Sequence, residues 1–341
     1  ALCLTHPQHG YYTTGTPVGG RASPQRSGGD FITAPEVSQM FGEMLAVWAM
    51  EVWQALGSPD PFVLAEIGPG RGTMMRDLLR VSRAMPGFRE AMQLHLVEIS
   101  PTLAEQQAVT LDGSGQSATW LSDIAHLPDD MPAIVLANEV LDALPAHQWV
   151  LHEGAWRQRA VGIVDDALAY VVRPTSLDMA VSAGTAEGTI VETSPACTAL
   201  VSDLAQRLVR TQGAALFLDY GALGMTEGPT FQAVRDHAHA DPLVQPGEAD
   251  LTFHVSFGPL LATARAADCA VPPPVTQGSF LTALGLLERA GSLGSGRSLA
   301  VQNDIAAAVE RLAGEAQMGE LFKAFAFGAP ATLGERWPGF S

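Results

Sequence analysis

The stretch Phe62 to Leu79, "FVLAEIGPGRGTMMRDLL", constrains the fold more than any other. Six mostly apolar residues fit a strand buried on both faces, and the amphipathic run from Thr73 fits a helix. Between them stand Gly68, Gly70 and Gly72, where a backbone without Cβ atoms can turn sharply and approach a ligand. A strand, a glycine corner and a helix form one unit of a parallel sheet covered by helices.

The remaining chain repeats the alternation. Strands are expected near Phe62 to Ile67, Leu94 to Ile99, Ala118 to Leu121, Ala133 to Ala137 and Ala214 to Asp219. Helical patterns cover Thr73 to Ala84, Pro101 to Thr110 and roughly Pro195 to Val209. Upstream, Val37, Phe41, Leu45, Trp48, Val52 and Leu56 recur at helical spacing, so one helix from Pro35 to Leu56 leads into the first strand. The expected organisation is a loop and helical lead over residues 1–60, then an α/β core over 61–341 with insertions at about 147–194 and 221–278. Trp149 to Arg173 reads as an antiparallel excursion on the sheet edge, and the segment from Gly221 to Gly278 is too long for a plain connection. Gly10 to Gly29 is a flexible loop by composition, and "GSLGSGR", Gly291 to Arg297, reads as a mobile surface link.

The chain has 341 residues and a formal net charge of −17, and Lys323 is its one lysine. That charge would repel a phosphate backbone, which argues against nucleic acid and suits a cationic protein segment. Cys3, Cys197 and Cys269 are too few and too scattered for a disulfide scaffold or a metal pattern. No apolar run approaches the roughly 20 residues of a transmembrane helix, so no membrane insertion is expected. The chain opens at Ala1 without an initiator methionine, which leaves targeting open.

The corner departs from the G-x-G-x-x-G of nicotinamide proteins, because the third glycine comes one residue early and Thr73 stands in its place. S-adenosylmethionine is the other ligand that uses such a corner: its carboxylate can meet free N–H groups, while its amino group and sulfonium favour an acid such as Glu66. Glu98 in "LHLVEIS" can accept both hydroxyls of a ribose, and Asp123 in "WLSDI" can meet an adenine amino group. Any one of these acids is equally read as a solvated carboxylate or a helix cap. Their recurrence at successive strand ends beside the corner is what carries the reading.

At the fourth strand's end, "LANEVLDALP" sets Asn138, Glu139 and Asp142 between apolar residues. The bland reading is a helix start with acids favoured by the dipole. The sharper one is an acceptor site in which a helical turn puts Glu139 and Asp142 on one face, with Glu36 of "TAPEVS" as a third acid. His254 in "FHVSF" is read equally as an orienting or proton-accepting group and as a satisfied core histidine. His237 and His239 in "DHAHAD" invite a metal reading, which is set aside because no other acid or histidine cluster pairs with them. Tyr11 and Tyr12 either cover the ligand or pack on the lead helix.

"GGDFITAPEVSQMFGE", "EIGPGRGTMM", "HLVEISP", "ANEVLDALP", "FLDYG", "FQAVRDH", "DPLVQPGEADLTFHVSF", "QGSFLTALG" and "MGELFKAFA" resemble, in order, the signature blocks of the MidA-like family of S-adenosylmethionine-dependent methyltransferases. The resemblance runs from about Gly10 to about Phe327. It implies a seven-stranded, Rossmann-like class I methyltransferase sheet with a helical N-terminal lead and insertions. Among the blocks it implies S-adenosyl-L-methionine contacts at Glu66, Gly68, Pro69, Gly70, Gly72, Thr73, Glu98, Ile99, Ser100, Asp123, Ile124 and Asn138, and at Phe31, Thr33 and Ser38 upstream. Since mitochondrial members are protein-arginine methyltransferases that assist assembly of respiratory complex I, it also implies a protein substrate with an accessible arginine, such as a complex I subunit. The implied compartment is the cytoplasm for a bacterial chain, which is favoured, and the mitochondrial matrix for a eukaryotic one. The chain departs from the family at Ser256, where relatives usually carry aspartate. A cofactor-binding assembly chaperone without turnover and a nicotinamide oxidoreductase remain as alternatives.

Overall fold

The computed structural model describes residues 2–14, 32–224, 228–235, 238–329 and 337–340. The apolar runs become strands β1 (Phe62–Ile67), β2 (Met92–Val97), β3 (Ala118–Leu121) and β4 (Ala133–Asn138). A middle group follows, with β5 (His147–His152), β6 (Ala155–Val164), β7 (Ala167–Ser176) and β8 (Ile190–Thr193). The chain then continues through β9 (Ala214–Ala222), β10 (Gln232–Arg235), β11 (Ala238–Ala240), β12 (Asp250–Thr252), β13 (Val255–Ser256), β14 (Val275–Thr276) and β15 (Phe322–Gly328).

The central sheet runs in the order β14-β15-β9-β4-β1-β2-β3, with β13 paired off that path to the end of β9. β9, β4, β1, β2 and β3 are parallel, and β15 enters antiparallel to β9. All six residues of β1 are buried, as a strand covered on both faces requires. One face packs Leu64, Ile134, Leu136 and Leu216 against the helices Gln39–Ala55 and Thr73–Val81. The other packs Val63, Val135 and Phe217 against the helices Pro195–Thr211 and Phe257–Ala266. Because the chain leaves β1 toward β2 and β3 and returns to β4 on the other side, strand order reverses between β1 and β4. A crevice opens there at the carboxyl ends of the strands.

Several expectations are corrected. The lead helix is two pieces, Ala34–Val37 and Gln39–Ala55, divided at Ser38. Ser38 has extended backbone and its hydroxyl accepts from Met40 N, so a good N-cap residue wins over the apolar periodicity. The 147–194 insertion lies on no edge of the central sheet, whose edges are taken by β3 and β14; it forms a separate sheet, β7-β6-β5-β8, around Trp149, Leu151, Trp156 and Val191. The stretch read as a mobile link is largely helix, since Leu286–Gly294 runs through its first residues and Leu299–Ala313 follows shortly after. Most of the glycine-rich N-terminal loop, together with Phe31 and His237, lies outside the described residues. Among the described residues no helix is long and apolar enough to cross a membrane.

Candidate functional site

Gly68, Gly70 and Gly72 have φ of 62°, 53° and 78°, so all three occupy the left-handed region that glycine enters without a Cβ penalty. A Cβ on Gly68 would stand 2.9 Å from Val140 Cγ2, which is how closely the corner approaches the loop after β4. Gly72 caps the helix Thr73–Val81. Gln107, fully buried in the helix Pro101–Leu111, sends Nε2 to Gly70 O (2.8 Å) and to Glu98 Oε2 (3.0 Å), while its Oε1 accepts from Trp120 Nε1 (2.9 Å). This one amide therefore fixes the corner relative to the acid after β2. The sequence does carry a signal for it, since Gln107 sits four residues from both Leu103 and Leu111 on the buried helix face.

The corner forms one wall of a cavity of about 450 Å³. Of the residues singled out from sequence, Thr33, Glu36, Glu66, Gly68, Pro69, Gly70, Thr73, Glu98, Ile99, Asn138, Glu139, Asp142 and His254 line it. Gly72, Ser38, Ser100, Asp123 and Ile124 do not. Ser38 and Ser100 cap helices, and exposed Asp123 accepts from Ala125 N as the cap of the short turn Ile124–His126. Ile124 packs against the second core face.

The lining is rich in acids. Among the described lining residues Arg71 and Arg311 are cationic, against Glu36, Glu66, Glu98, Glu139, Asp142 and Asp250. Glu66 is 3% exposed, and burial together with the nearby Glu98 pushes its carboxyl up to about 8. Glu98 is also raised by burial, against hydrogen bonds from Ser100 N (2.8 Å) and Gln107. Three buried acceptors, Glu66 Oε2, Asn138 Oδ1 and Asp142 Oδ1, have no hydrogen-bond partner in the structure. An unpaired buried acceptor costs about 1–3 kcal/mol, which a donor-bearing, cationic ligand would offset.

The acidic knot after β4 is not the expected helical turn. Glu139 has φ 52°, and the next three residues are held by a buried carboxylate from β9: Asp219 Oδ2 accepts from Val140 N (3.1 Å), Leu141 N (2.8 Å) and Asp142 N (3.3 Å). Asp219 Oδ1 accepts from Tyr220 N at 2.9 Å. The sequence offered no local signal for this tie, because the partners are nearly eighty residues apart. Burial and then Glu139 push Asp219 up to about 7, against these backbone N–H groups, which favour its ionised form. Asp142 is pushed well up by burial and then by Asp219, Glu139 and Asp250. Glu139 is pushed up to about 7 by burial, although Asn138 Nδ2 (3.0 Å) and Ala34 N (3.3 Å) both donate to its Oε1.

Glu36 belongs to the corner rather than to this knot, since its Oε1 accepts from Thr73 Oγ1 at 2.6 Å. His254 is kept mainly neutral by burial and meets the Tyr220 ring edge-on at 5.3 Å between centroids. Tyr12 lines the cavity, whereas Tyr11 is buried. Ser256 stands at the N-terminus of Phe257–Ala266 and makes no cap hydrogen bond with its side chain.

A mixed sheet of this order, with a glycine corner after β1 and acids at the switch point, defines a class I methyltransferase fold. Residues 44–275 match the family described as "Putative S-adenosyl-L-methionine-dependent methyltransferase". The chain is 34% identical to "Protein arginine methyltransferase NDUFAF7, mitochondrial" of Danio rerio, over 98% of this chain and 83% of that protein, and also 34% identical to the protein of the same name from Homo sapiens, over 95% and 77%. A crystal structure of a likely methyl transferase of the COG1565 superfamily from Burkholderia thailandensis, bound to S-adenosyl-homocysteine, superposes with a TM-score of 0.82 at 29% identity, covering 99% of this chain and 86% of that one. The chain belongs to this family of S-adenosyl-L-methionine-dependent methyltransferases. The nicotinamide alternative is thereby set aside.

Proposed function

We propose that this chain transfers a methyl group from S-adenosyl-L-methionine to an arginine of a protein partner. The observation that carries the reading is the excess of buried acids in one cavity, with unpaired acceptors at Glu66, Asn138 and Asp142. Two cationic groups of S-adenosylmethionine, an ammonium and a sulfonium, fit this donor-poor lining, and a guanidinium would be the third cation. The relatives named as protein arginine methyltransferases support that choice of acceptor.

When bound, S-adenosylmethionine supplies an electrophilic methyl group on a sulfonium. Gly68 and Gly70 give it backbone room, Glu66 accepts from its cationic end, and Glu98 accepts ribose hydroxyls, positioned by Gln107. A guanidinium has a pKa above 12 and delocalised charge, so it must be oriented before one nitrogen can react. Asp142 and Glu139 orient it and hold charge on the nitrogens that do not react. Glu139 Oε2, the oxygen opposite the one engaged by Asn138 and Ala34, takes the proton that the reacting nitrogen loses. A carboxyl near 7 suits that task at neutral pH. Apolar side chains such as Met74, Leu103 and Phe322 line the cavity beside the acids and limit water around the reacting groups.

The partner we propose, by the same family resemblance, is a subunit of respiratory complex I. The compartment would then be the matrix in a eukaryote and the cytoplasm in a bacterium. Mass spectrometry of that complex with and without this protein should show a methylated arginine only when the protein is present. Its absence, together with no transfer in vitro, would favour a cofactor-binding chaperone.

The Glu66 carboxyl also predicts a pH dependence. Its value in the folded protein, about 8, lies above the ordinary 4.5, so the protonated form is favoured in the unliganded fold. The associated stability is complete below about 4.5 and is lost as pH rises through about 8. A bound cation favours the ionised form, so S-adenosylmethionine affinity should rise with pH up to about 8, by at most about tenfold per unit. Calorimetry from pH 6.5 to 9 on wild type and Glu66→Gln checks this, because the difference between the two profiles removes the ligand's own titration. Identical profiles would remove Glu66 from the cation site.

A further inference from the structure

The far wall of the cavity is closed by a segment distant in sequence. Residues Leu4, Thr5 and Tyr12 line the cavity, within two short helical turns, Leu2–Thr5 and Tyr11–Thr14. The link between these turns is wound tightly, since a Cβ on Gly10 would stand 2.5 Å from His6 N. The segment is also pressed on the loop before β12: Gly247, with φ 95°, abuts the carbonyl of His9 so closely that a Cβ there would meet His9 O. Leu4 and Tyr11 of this segment are buried. From this base Tyr12 OH donates to Asp250 Oδ1 at 2.8 Å, and Leu251 N donates to the same oxygen at 2.9 Å.

Asp250 is 6% exposed, lines the cavity, and opens β12. Its strand leads to Phe253, whose N–H donates to Asp142 O at 3.3 Å, so Asp250 and the loop after β4 belong to one wall. Glu139 and Asp142 line the same cavity, which places all three carboxyls around one volume. Glu36, in contrast, is committed to Thr73 on the glycine-corner side.

We propose that Asp250, oriented by Tyr12, is a specificity-determining carboxylate of the acceptor site. It takes the place in the guanidinium grip that the sequence suggested for Glu36. The inference rests on the reading of the acceptor as arginine and extends it. Three carboxyls around one volume select a planar cation that donates in several directions at once, which a neutral isostere cannot replace. Tyr12 stays un-ionised, raised by burial and by Asp250 and Asp142, and so acts as the donor that fixes the Asp250 rotamer. The N-terminal segment thereby becomes part of the recognition site.

The test measures binding of the blocked tripeptide acetyl-Gly-Arg-Gly-amide, and of its citrulline counterpart, to full-length protein saturated with S-adenosyl-homocysteine. Wild type is expected to prefer the arginine peptide at least about tenfold. Tyr12→Phe and Asp250→Asn should lower arginine-peptide affinity by about tenfold or more and narrow the preference, with S-adenosyl-homocysteine affinity unchanged within about twofold. Retained cofactor affinity reports that each variant is folded. If Asp250→Asn loses it, Tyr12→Phe, which removes a single hydroxyl, decides alone. Undiminished preference in the folded variants overturns the role of Asp250 and leaves the arginine reading intact. A wild type that binds the two peptides equally overturns the arginine reading, and this inference with it.

Discussion

Glu139→Gln is expected to leave S-adenosylmethionine affinity within about twofold of wild type and to lower single-turnover methyl transfer by about 10² or more, the scale of effect that follows loss of alignment in a reacting pair. The substitution keeps the shape of the side chain and leaves an oxygen to accept from Asn138 Nδ2 and Ala34 N, so the left-handed turn at residue 139 should persist. What is lost is the charge that orients the acceptor and the oxygen that receives its proton. Asp142→Asn should fall in the same direction, because it removes the other carboxyl proposed to face the acceptor. Lysine at the target position should be a poor replacement for arginine, since it lacks the planar fork that two carboxylates hold. The measurement is transfer of labelled methyl to the natural partner, with wild type and both variants compared at saturating cofactor. Full activity in both variants would take these residues out of the mechanism.

Gly70→Val is expected to reduce S-adenosylmethionine affinity by more than about 10²-fold while the protein still folds. At φ 53° a β-branched residue is strained by about 1–3 kcal/mol. That is a fraction of the roughly 5–15 kcal/mol that holds a domain folded. The side chain would project at the cavity wall where the ligand must approach the backbone, and the strain would pull on Gly70 O, the acceptor of Gln107 Nε2. Because the same amide holds Glu98, the disturbance should reach the ribose contact as well. Calorimetric titration with S-adenosylmethionine and a thermal melt, taken together, separate the outcomes. A variant that binds normally, or one that does not fold, would make the corner a structural turn and not a ligand cradle.

The side of the cavity formed by the glycine corner was legible in the sequence because its placement is local. A glycine corner must follow its strand and precede its helix, and Glu66, Glu98 and Asn138 are placed by the carboxyl ends of their strands. Period-2 and period-3.6 apolar patterns locate those strands and helices within a few residues, since they record which face each element buries. The misread helix at Ser38 has a similarly local cause, a cap preference that outweighs a continuing apolar stripe.

The side of the cavity formed by the loop after β4 was legible only in part. The sequence named Glu139 and Asp142 but gave them a helical turn, whereas the fold holds this loop with Asp219, which accepts from Val140, Leu141 and Asp142 N and so connects β9 to the loop after β4. It offered Glu36 as the third acid, and the fold pairs Glu36 with Thr73 instead. Tyr12 and Asp250 are 238 residues apart, and no pattern in a single sequence brings them together. The amino-acid sequence by itself determined the sheet, the corner and the residue types at each strand end, because these follow from neighbours along the chain. Only the tertiary structure decided which carboxyls share a cavity, which accept from backbone N–H groups, and which keep an unpartnered oxygen. Those outcomes depend on burial and on distances through space, and the order of residues along the chain encodes them only through the completed fold.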